Sequence, residues 1–322
     1  MNAVLQTVAL TKRFYSAGTP LDSTHATLAL DGLDLEVPES SMYALVGPNG
    51  AGKTTAIKIL MNLLRPSSGH SLVFGRDSGA LSPADFARIG YVSENQVLPP
   101  WMTVGYLMEY LRPFYPTWDP ARATQLLRQL DLPLDRKLKH LSRGMYMKAS
   151  LATALAFRPR LIVLDEPFTG LDALVRDELI ESLLESADGA TVFISSHDLA
   201  EIESFSSHVG FLHRGRLQSS EELSALSARF REIEVTCEEA TQPAEKTAAG
   251  KSPALPQPWP AQWLAPGRAG AVVRFADSQF DAESTPEKIH ALFGPGCRID
   301  VTPMPLRSIF IAITKANREE AN

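Results

Sequence analysis

Hydrophobic positions fall into two kinds of run along this chain. Met42-Tyr43-Ala44-Leu45-Val46 and Leu161-Ile162-Val163-Leu164 are short and almost wholly apolar, the pattern of strands buried on both faces. Thr191 to Ser195 is a β-rich run of the same kind. Between these runs the spacing becomes helical. Ile57, Leu60, Met61 and Leu64 recur on one helix face until Arg65-Pro66 stops it. Helical patterns also cover Tyr146 to Phe157, Ala173 to Ser186 and Asp198 to Ser206. Strands that alternate with helices predict an α/β fold, a largely parallel sheet with helices on both faces.

Two earlier strands, Val4 to Leu10 and Leu28 to Val37, flank a Ser/Thr/Gly/Pro-rich loop from Ser16 to Thr27. The stretch from about Phe86 to Leu141 reads as mostly helical and is punctuated by prolines. Val209 to His213 is a last strand-like piece before Glu221. After Phe230 the composition shifts, and residues 241–270, rich in Pro and Ala, read as a loop or linker. Around it, Ile233 to Cys237, Ala271 to Phe275, Pro286 to Phe293, Arg298 to Thr302 and Leu306 to Lys315 read as strand, strand, helix, strand, helix. The expected division is a large domain over 1–222 and a small α+β domain over 223–322.

Chemistry concentrates at the ends of the apolar runs. Gly47-Pro48-Asn49-Gly50-Ala51-Gly52-Lys53-Thr54-Thr55 follows the first of them and fits G-x-x-x-x-G-K-[ST], a phosphate-gripping loop. It joins a strand to a helix N-terminus, where free N–H groups and the helix dipole attract phosphate. Lys53 would reach the β- and γ-phosphates, and Thr54 would place its hydroxyl on Mg²⁺. The second run ends in Asp165-Glu166, so both acids arrive at the sheet edge where open α/β sheets bind ligands. Asp165 is expected to hold Mg²⁺ and Glu166 to deprotonate an attacking water. The third run ends at His197, placed to donate a hydrogen bond to a γ-phosphate. Ser142 is a good N-cap for the helix that follows, and Gly144 allows close backbone approach, which makes a second anion site.

Composition narrows the partners. The net charge of −6 gives no support to a sequence-independent nucleic-acid grip, so no nucleic acid is expected. No apolar run reaches the ~20 residues that span a bilayer, and Met1 to Gln6 does not read as a signal peptide. Cys237 and Cys297 lie far apart and are expected to be free thiols of a reduced cytosolic protein.

Taken in order, these pieces resemble the ATP-binding subunits of ABC transporters over roughly residues 4 to 222. Gly47 to Thr55 matches the Walker A motif and Arg160 to Glu166 Walker B. Ser142 and Gly144 match the signature motif, Thr169 to Asp172 the D-loop, and His197 the switch histidine. Phe14 sits where the adenine-stacking aromatic falls, with Tyr15 the fallback. The resemblance implies a P-loop NTPase of ABC type with a helical subdomain at about 86–145, binding ATP and Mg²⁺. The implied nucleotide contacts are Phe14, Gly47, Pro48, Asn49, Gly50, Ala51, Gly52, Lys53, Thr54, Thr55, Ser142, Gly144 and Asp172. The implied metal ligands are Thr54, Asp165 and Glu94, and the catalytic set is Glu166, His197, Glu94 and Lys53.

Two positions depart from the family pattern. Glu94 stands where the Q-loop glutamine is usual, with Gln96 as its rival for that role. The signature reads Ser142-Arg143-Gly144-Met145, and Arg143 either adds charge near a phosphate or points to solvent. The resemblance further implies a head-to-tail dimer around two ATPs, homomeric or heteromeric. It also implies a separate transmembrane permease docked beside Glu94, at Pro99, Pro100, Trp101 and Met102, or with Trp101 serving only as an anchor. The location that follows is cytoplasmic, peripheral on the inner face of the cell membrane. The variant signature, Tyr115 to Asp119 and the C-terminal appendage resemble one branch of bacterial ATPases, often in exporters. The rival classes are a soluble ABC-type ATPase and a nucleotide-gated regulator not coupled to transport.

Overall fold

The computed structural model describes residues 3–15, 26–237 and 258–319. The chain divides into two compact units, Met1–Ser220 and Glu221–Asn322. Most of the loop expected over 16–27, and most of the 241–270 stretch, lie outside the described residues.

The first unit opens with β1 (Ala3–Phe14) and β2 (Thr27–Pro38), which pair antiparallel. Next come β3 (Met42–Val46), α1 (Lys53–Leu60), β4 (Ser68–Val73) and β5 (Arg76–Asp77). Strands β1, β2, β4 and β5 form one antiparallel sheet in the order β2-β1-β4-β5. The chain continues through α2 (Pro83–Phe86), β6 (Ile89–Ser93), α3 (Val104–Leu111), α4 (Pro120–Gln129) and α5 (Arg143–Leu155). It ends with β7 (Leu161–Asp165), α6 (Ala173–Ala187), β8 (Thr191–Ser196), α7 (Leu199–Glu203), β9 (His208–His213) and β10 (Arg216–Glu222).

The second sheet has the order β10-β9-β3-β8-β7-β6. Its pairs β9–β3, β3–β8, β8–β7 and β7–β6 are all parallel. Every residue of β7 and β8 is buried, which is why both read as continuous rather than alternating runs. One core joins the two sheets. Leu5, Leu10, Leu33 and Val37 of the antiparallel sheet pack with Tyr43, Leu45, Leu161, Val163 and Phe193 of the parallel one, around Ile57 and Leu60 of α1. Full burial of each large apolar side chain is worth about 1.5–3 kcal/mol.

Between α2 and α5 the chain is helical, as its pattern suggests, with caps that fix the helix starts. Thr103 accepts from Tyr106 N, Asp119 from Ala121 N and Arg122 N, and Ser142 from Met145 N. Strand β6 interrupts that stretch and serves as the last strand of the parallel sheet.

The parallel register sets the site. Ser93 is level with Asp165, Asp165 with Ser195, and Ser195 with Leu45. The C-terminal ends of β6, β7, β8 and β3 therefore finish in one row. The next residues in the chain are Glu94, Glu166, His197 (one residue beyond Ser196) and Gly47.

The second unit comprises α8 (Leu223–Arg229), β11 (Arg231–Cys237), β12 (Trp263–Ala269), β13 (Val272–Asp277), α9 (Ser284–Phe293), β14 (Cys297–Pro303) and α10 (Leu306–Glu319). Its sheet is antiparallel in the order β12-β13-β11-β14. Ile233, Val235, Trp263, Val273, Phe275 and Ile289 form its core. The buried Asp277 is satisfied by Trp263 Nε1, Thr285 Oγ1 and Gln279 N.

Two expectations are corrected here. The linker expected through residue 270 gives way to β12, whose backbone pairs with β13 although its sequence includes Pro and Gly. The cysteines expected to be free are joined in a Cys237–Cys297 disulfide. Antiparallel pairing of β11 with β14 places the two directly opposite, which their separation of 60 positions conceals. Among the described residues no helix is long and apolar enough to cross a membrane.

Candidate functional site

The row of strand ends opens into a cleft of about 620 Å³. Asn49 through Thr55 line one side. Phe14 and the start of β2 line another, and Glu94, Glu166, Thr169 and His197 close it. A second surface groove, of about 540 Å³ along α4 and α6, contains none of these groups.

The glycine loop is wedged between strand ends. Gly47 N donates to Ser196 O, and a side chain at Gly47 would collide with the Leu212 carbonyl at 2.1 Å. Gly52 turns into α1 at φ 111°, a conformation that favours glycine, and faces the Ala29 carbonyl too closely for a Cβ. The first turn of α1 carries no acidic residue of its own, so no side chain of the helix itself competes with phosphate for its N-terminal N–H groups.

Lys53 is nearly fully buried. Its Nζ donates to Gly47 O at 2.6 Å and Pro48 O at 3.2 Å, and pairs with Glu166 Oε1 at 3.0 Å. Glu166 Oε2 lies 2.7 Å from His197 Nδ1 and accepts from Thr169 Oγ1 at 3.1 Å. Burial alone would raise the Glu166 carboxyl. The His197 hydrogen bond and the Lys53 charge outweigh that and hold it below its ordinary value. Glu166 has a backbone φ of 52°, a left-handed conformation that costs energy for a non-glycine residue.

Asp165 differs from its neighbour. It is 3% exposed, and its Oδ1 accepts from Thr54 Oγ1 at 3.0 Å and Ser195 Oγ at 2.7 Å. Burial raises its carboxyl against those two hydrogen bonds, and the nearby Glu166 charge adds to the rise. A buried carboxylate held only by hydroxyls fits a hard divalent cation, because oxygen donors and an uncompensated charge are what Mg²⁺ selects. Among the described residues no cluster of three His, Cys, Asp or Glu forms a complete metal cage. Thr54 and Asp165 are a partial set, suited to an ion that shares its shell with phosphate oxygens.

The cleft brings together most of the sequence-derived residues: Phe14, the glycine loop, Glu94, Glu166 and His197. Gly47 and Pro48 lie behind it and turn their carbonyls to Lys53. Of the two Q-loop candidates, Glu94 lines the cleft, and its N–H donates to Asp165 O at 3.0 Å. Gln96 lines a separate apolar groove beside Tyr91 and Leu98, and its carbonyl accepts from Tyr146 Oη.

Ser142, Gly144 and Asp172 do not line the cleft. Ser142 caps α5, Asp172 caps α6 by accepting from Val175 N, and Gly144 packs against Val175. The three form a separate patch. Arg143 bonds Glu94 rather than pointing freely to solvent. Two contacts were not legible in the sequence, one from Ser195, which belongs to no motif, and one from Thr169, which the D-loop resemblance names without this role. Ser195 bridges the acids, donating to Asp165 while accepting from Glu166 N at 3.0 Å. Thr169 orients Glu166. The only local signal for either is a hydroxyl residue within three positions of a motif acid or histidine.

Residues 30–169 match the ABC transporter family model. An ABC transporter ATP-binding protein of Nostoc sp. (strain PCC 7120) is 34% identical over 207 residues, covering 62% of this chain and 61% of that protein. The lantibiotic transport ATP-binding protein of Streptococcus pyogenes is 33% identical over 192 residues, covering 58% of this chain and 82% of that one. The chain thus spans about three fifths of the length of several curated relatives it matches. Among solved structures, an ATP-binding subunit of an ABC transporter superposes with a TM-score of 0.60 at 28% identity, covering 70% of this chain and 92% of that one. The glycine loop, the acids and the histidine at one sheet edge, together with these matches, establish the family: the chain belongs to the ABC transporter ATP-binding proteins.

Proposed function

We propose that this chain binds and hydrolyses ATP and couples hydrolysis to transport, in the export direction, through a separate transmembrane subunit. The observation that carries the reading is Glu166, held at once by Lys53, His197 and Thr169 at the end of β7. A carboxylate kept ionised beside a phosphate-gripping loop is built to take a proton from water. Lys53 and the N–H groups of α1 bind the phosphates, Phe14 stacks on the base, and His197 holds Glu166 and the γ-phosphate in one geometry. Thr54 and Asp165 would hold Mg²⁺, which when bound would supply positive charge against the phosphates. Glu166 accepts the proton of the attacking water, and Lys53 steadies the oxygens that gain charge.

Ser142, Gly144 and Asp172 lie apart from Lys53 within one chain. They are completed as a site when a second nucleotide-binding subunit, identical or homologous, packs head to tail and presents its phosphates to them. The membrane subunit docks beside Glu94. Trp101 is 60% exposed there, whereas Met102 is 3% exposed and belongs to the core. The relatives named for lantibiotic transport and daunorubicin resistance support export. The working location is the inner face of the cell membrane.

Glu166→Gln tests the base. It is expected to lower hydrolysis by at least a hundredfold, within the usual range for a general base, and to trap an ATP-bound dimer visible by sedimentation. Hydrolysis at near wild-type rate would remove Glu166 from that role. Mild-detergent capture of the tagged chain from its own membranes tests the coupling. A polytopic membrane protein is expected to come with it, and recovery of soluble partners alone would overturn the transport reading.

A further inference from the structure

Arg143 occupies an unusual place. It begins α5, where its backbone belongs to the signature patch, yet its side chain reaches toward the nucleotide cleft. Arg143 Nη2 lies 2.6 Å from Glu94 Oε1. The same guanidinium covers Gly170, where a Cβ would stand 2.8 Å from Nη1. Gly170 follows Thr169, the residue that bonds Glu166. Glu94 in turn is tied to the metal pair, since its N–H donates to Asp165 O at 3.0 Å. One side chain therefore spans the signature patch, the loop after Glu166, and the only carboxylate besides Glu166 lining the cleft among the described residues.

We propose that Arg143 is a latch on Glu94 that competes with the divalent cation. The guanidinium holds the Glu94 carboxylate toward α5. Cation binding at Thr54 and Asp165 draws Glu94 inward and releases Arg143. The inference rests on the nucleotide-binding reading of the cleft. Two features make the exchange feasible. The backbone of Glu94 is already fixed beside Asp165, so only side-chain rotation is needed. The ion pair is weak, because Arg143 and Glu94 are 52% and 33% exposed, and water screens pairs of that kind. A divalent charge in a cleft with one buried carboxylate competes well against a single half-solvated guanidinium. A glycine at position 143 has no side chain to form this contact, so the latch is a property of this variant signature.

The test titrates Mg²⁺ into the full chain with a fluorescent ATP analogue and reads the Mg²⁺ concentration at half-saturation. Arg143→Gln is expected to lower that midpoint about two- to fivefold, the range for a partly exposed pair. Arg143→Lys is expected to fall between it and wild type. Glu94→Gln is expected to raise the midpoint, and adding Arg143→Gln to Glu94→Gln is expected to change nothing further. Affinity for the analogue in EDTA is expected to be equal in wild type and Arg143→Gln. An unchanged midpoint in Arg143→Gln, or an equal shift in the Glu94→Gln background, overturns the latch while leaving the cleft's function intact. Failure of the wild-type chain to bind the analogue at any Mg²⁺ concentration overturns the nucleotide reading, and the latch with it.

Discussion

Ser195 shows how much one hydroxyl does at the strand ends. It donates to the buried Asp165 carboxylate and accepts from Glu166 N, so it sets the spacing of two acids with different tasks. Their environments diverge accordingly. Asp165 is raised chiefly by burial, while Glu166 is lowered by His197 and Lys53 despite burial. Ser195→Ala deletes one of the hydrogen bonds that keep Asp165 charged, so its carboxyl should rise further. Mg²⁺ requires the charged form. The variant is therefore expected to need about 10- to 100-fold more Mg²⁺ for nucleotide binding, the usual cost of losing a partner to a metal ligand. The sign with pH follows. A raised carboxyl is protonated to a larger extent as pH falls, so the defect should widen as pH falls toward the acid range in which Asp165 takes up its proton and narrow as pH rises. Mg²⁺ titrations at several pH values check this, and a defect constant with pH would show that Ser195 acts on packing alone. The glycine loop, Asp165, Glu166 and His197 were legible because their chemistry depends on short contiguous spacing at the ends of apolar runs. Ser195 was not, because its partners lie about 30 positions away and only the register of β7 with β8 brings them level.

At the scale of elements, close approach of backbone to backbone decides where residues can change. A Cβ at Gly90, in β6, would stand 2.7 Å from the carbonyl oxygen of Ala154 in α5. Backbone cannot step aside as a flexible side chain would, so α5 must shift off the sheet. Gly90→Ala is expected to destabilise the first unit by about 1–3 kcal/mol, the range for overpacking a filled interior. Gly267, in β12, is the comparison, since nothing lies within 4 Å of its Cβ position. Gly267→Ala is expected to change stability by no more than about 0.5 kcal/mol. Urea unfolding of both variants checks the contrast, and equal effects would show that α5 repacks freely. Strands β3, β7, β8 and β9 and most helices could be read from the sequence because buried strands leave an apolar run, whereas β6, which carries Gly90 and the half-buried Tyr91 and Ser93, fell inside the stretch read as mostly helical. Strands β4 and β12 could not. Ser-Gly-His-Ser-Leu-Val and Trp-Leu-Ala-Pro-Gly-Arg-Ala carry little strand propensity, and pairing with β1 and β13 overrides it. A bulge between Leu264 and Gly267 absorbs the irregular stretch of β12.

For the molecule as a whole, charge and surface decide how it reaches a membrane. A net charge of −6 opposes adsorption to an anionic leaflet. Under the proposed function, attachment would run through protein contact, and the first unit offers a surface for it. The rings of Trp101 and Tyr106 meet at a tilt with centroids 5.9 Å apart, as do those of Tyr110 and Phe114 at 5.5 Å, and all four are well exposed along α3 and its flanks. Isolated exposed apolar residues are ordinary, but four aromatics on one short helical stretch are not. Tyr110 lines one groove with Gln96, two positions past the cleft residue Glu94, so the surface is linked to the cleft through that short segment. That link is what coupling of nucleotide state to a partner requires. The sequence brought Trp101 forward but left open whether it anchors the helical region or faces a partner, since hydrophobicity does not distinguish the two. Exposure favours the second. Trp101→Ala removes a large aromatic of the type that dominates interface energetics, with an expected loss of about 2 kcal/mol, or roughly 30-fold in partner affinity. It buries little in the chain alone, so nucleotide binding and unfolding midpoint should stay near wild type. Capture of the membrane subunit from detergent extracts, paired with analogue binding on the same preparation, separates the two roles. Loss of capture with intact nucleotide binding marks Trp101 as a docking residue. Loss of stability with capture retained assigns it to the fold.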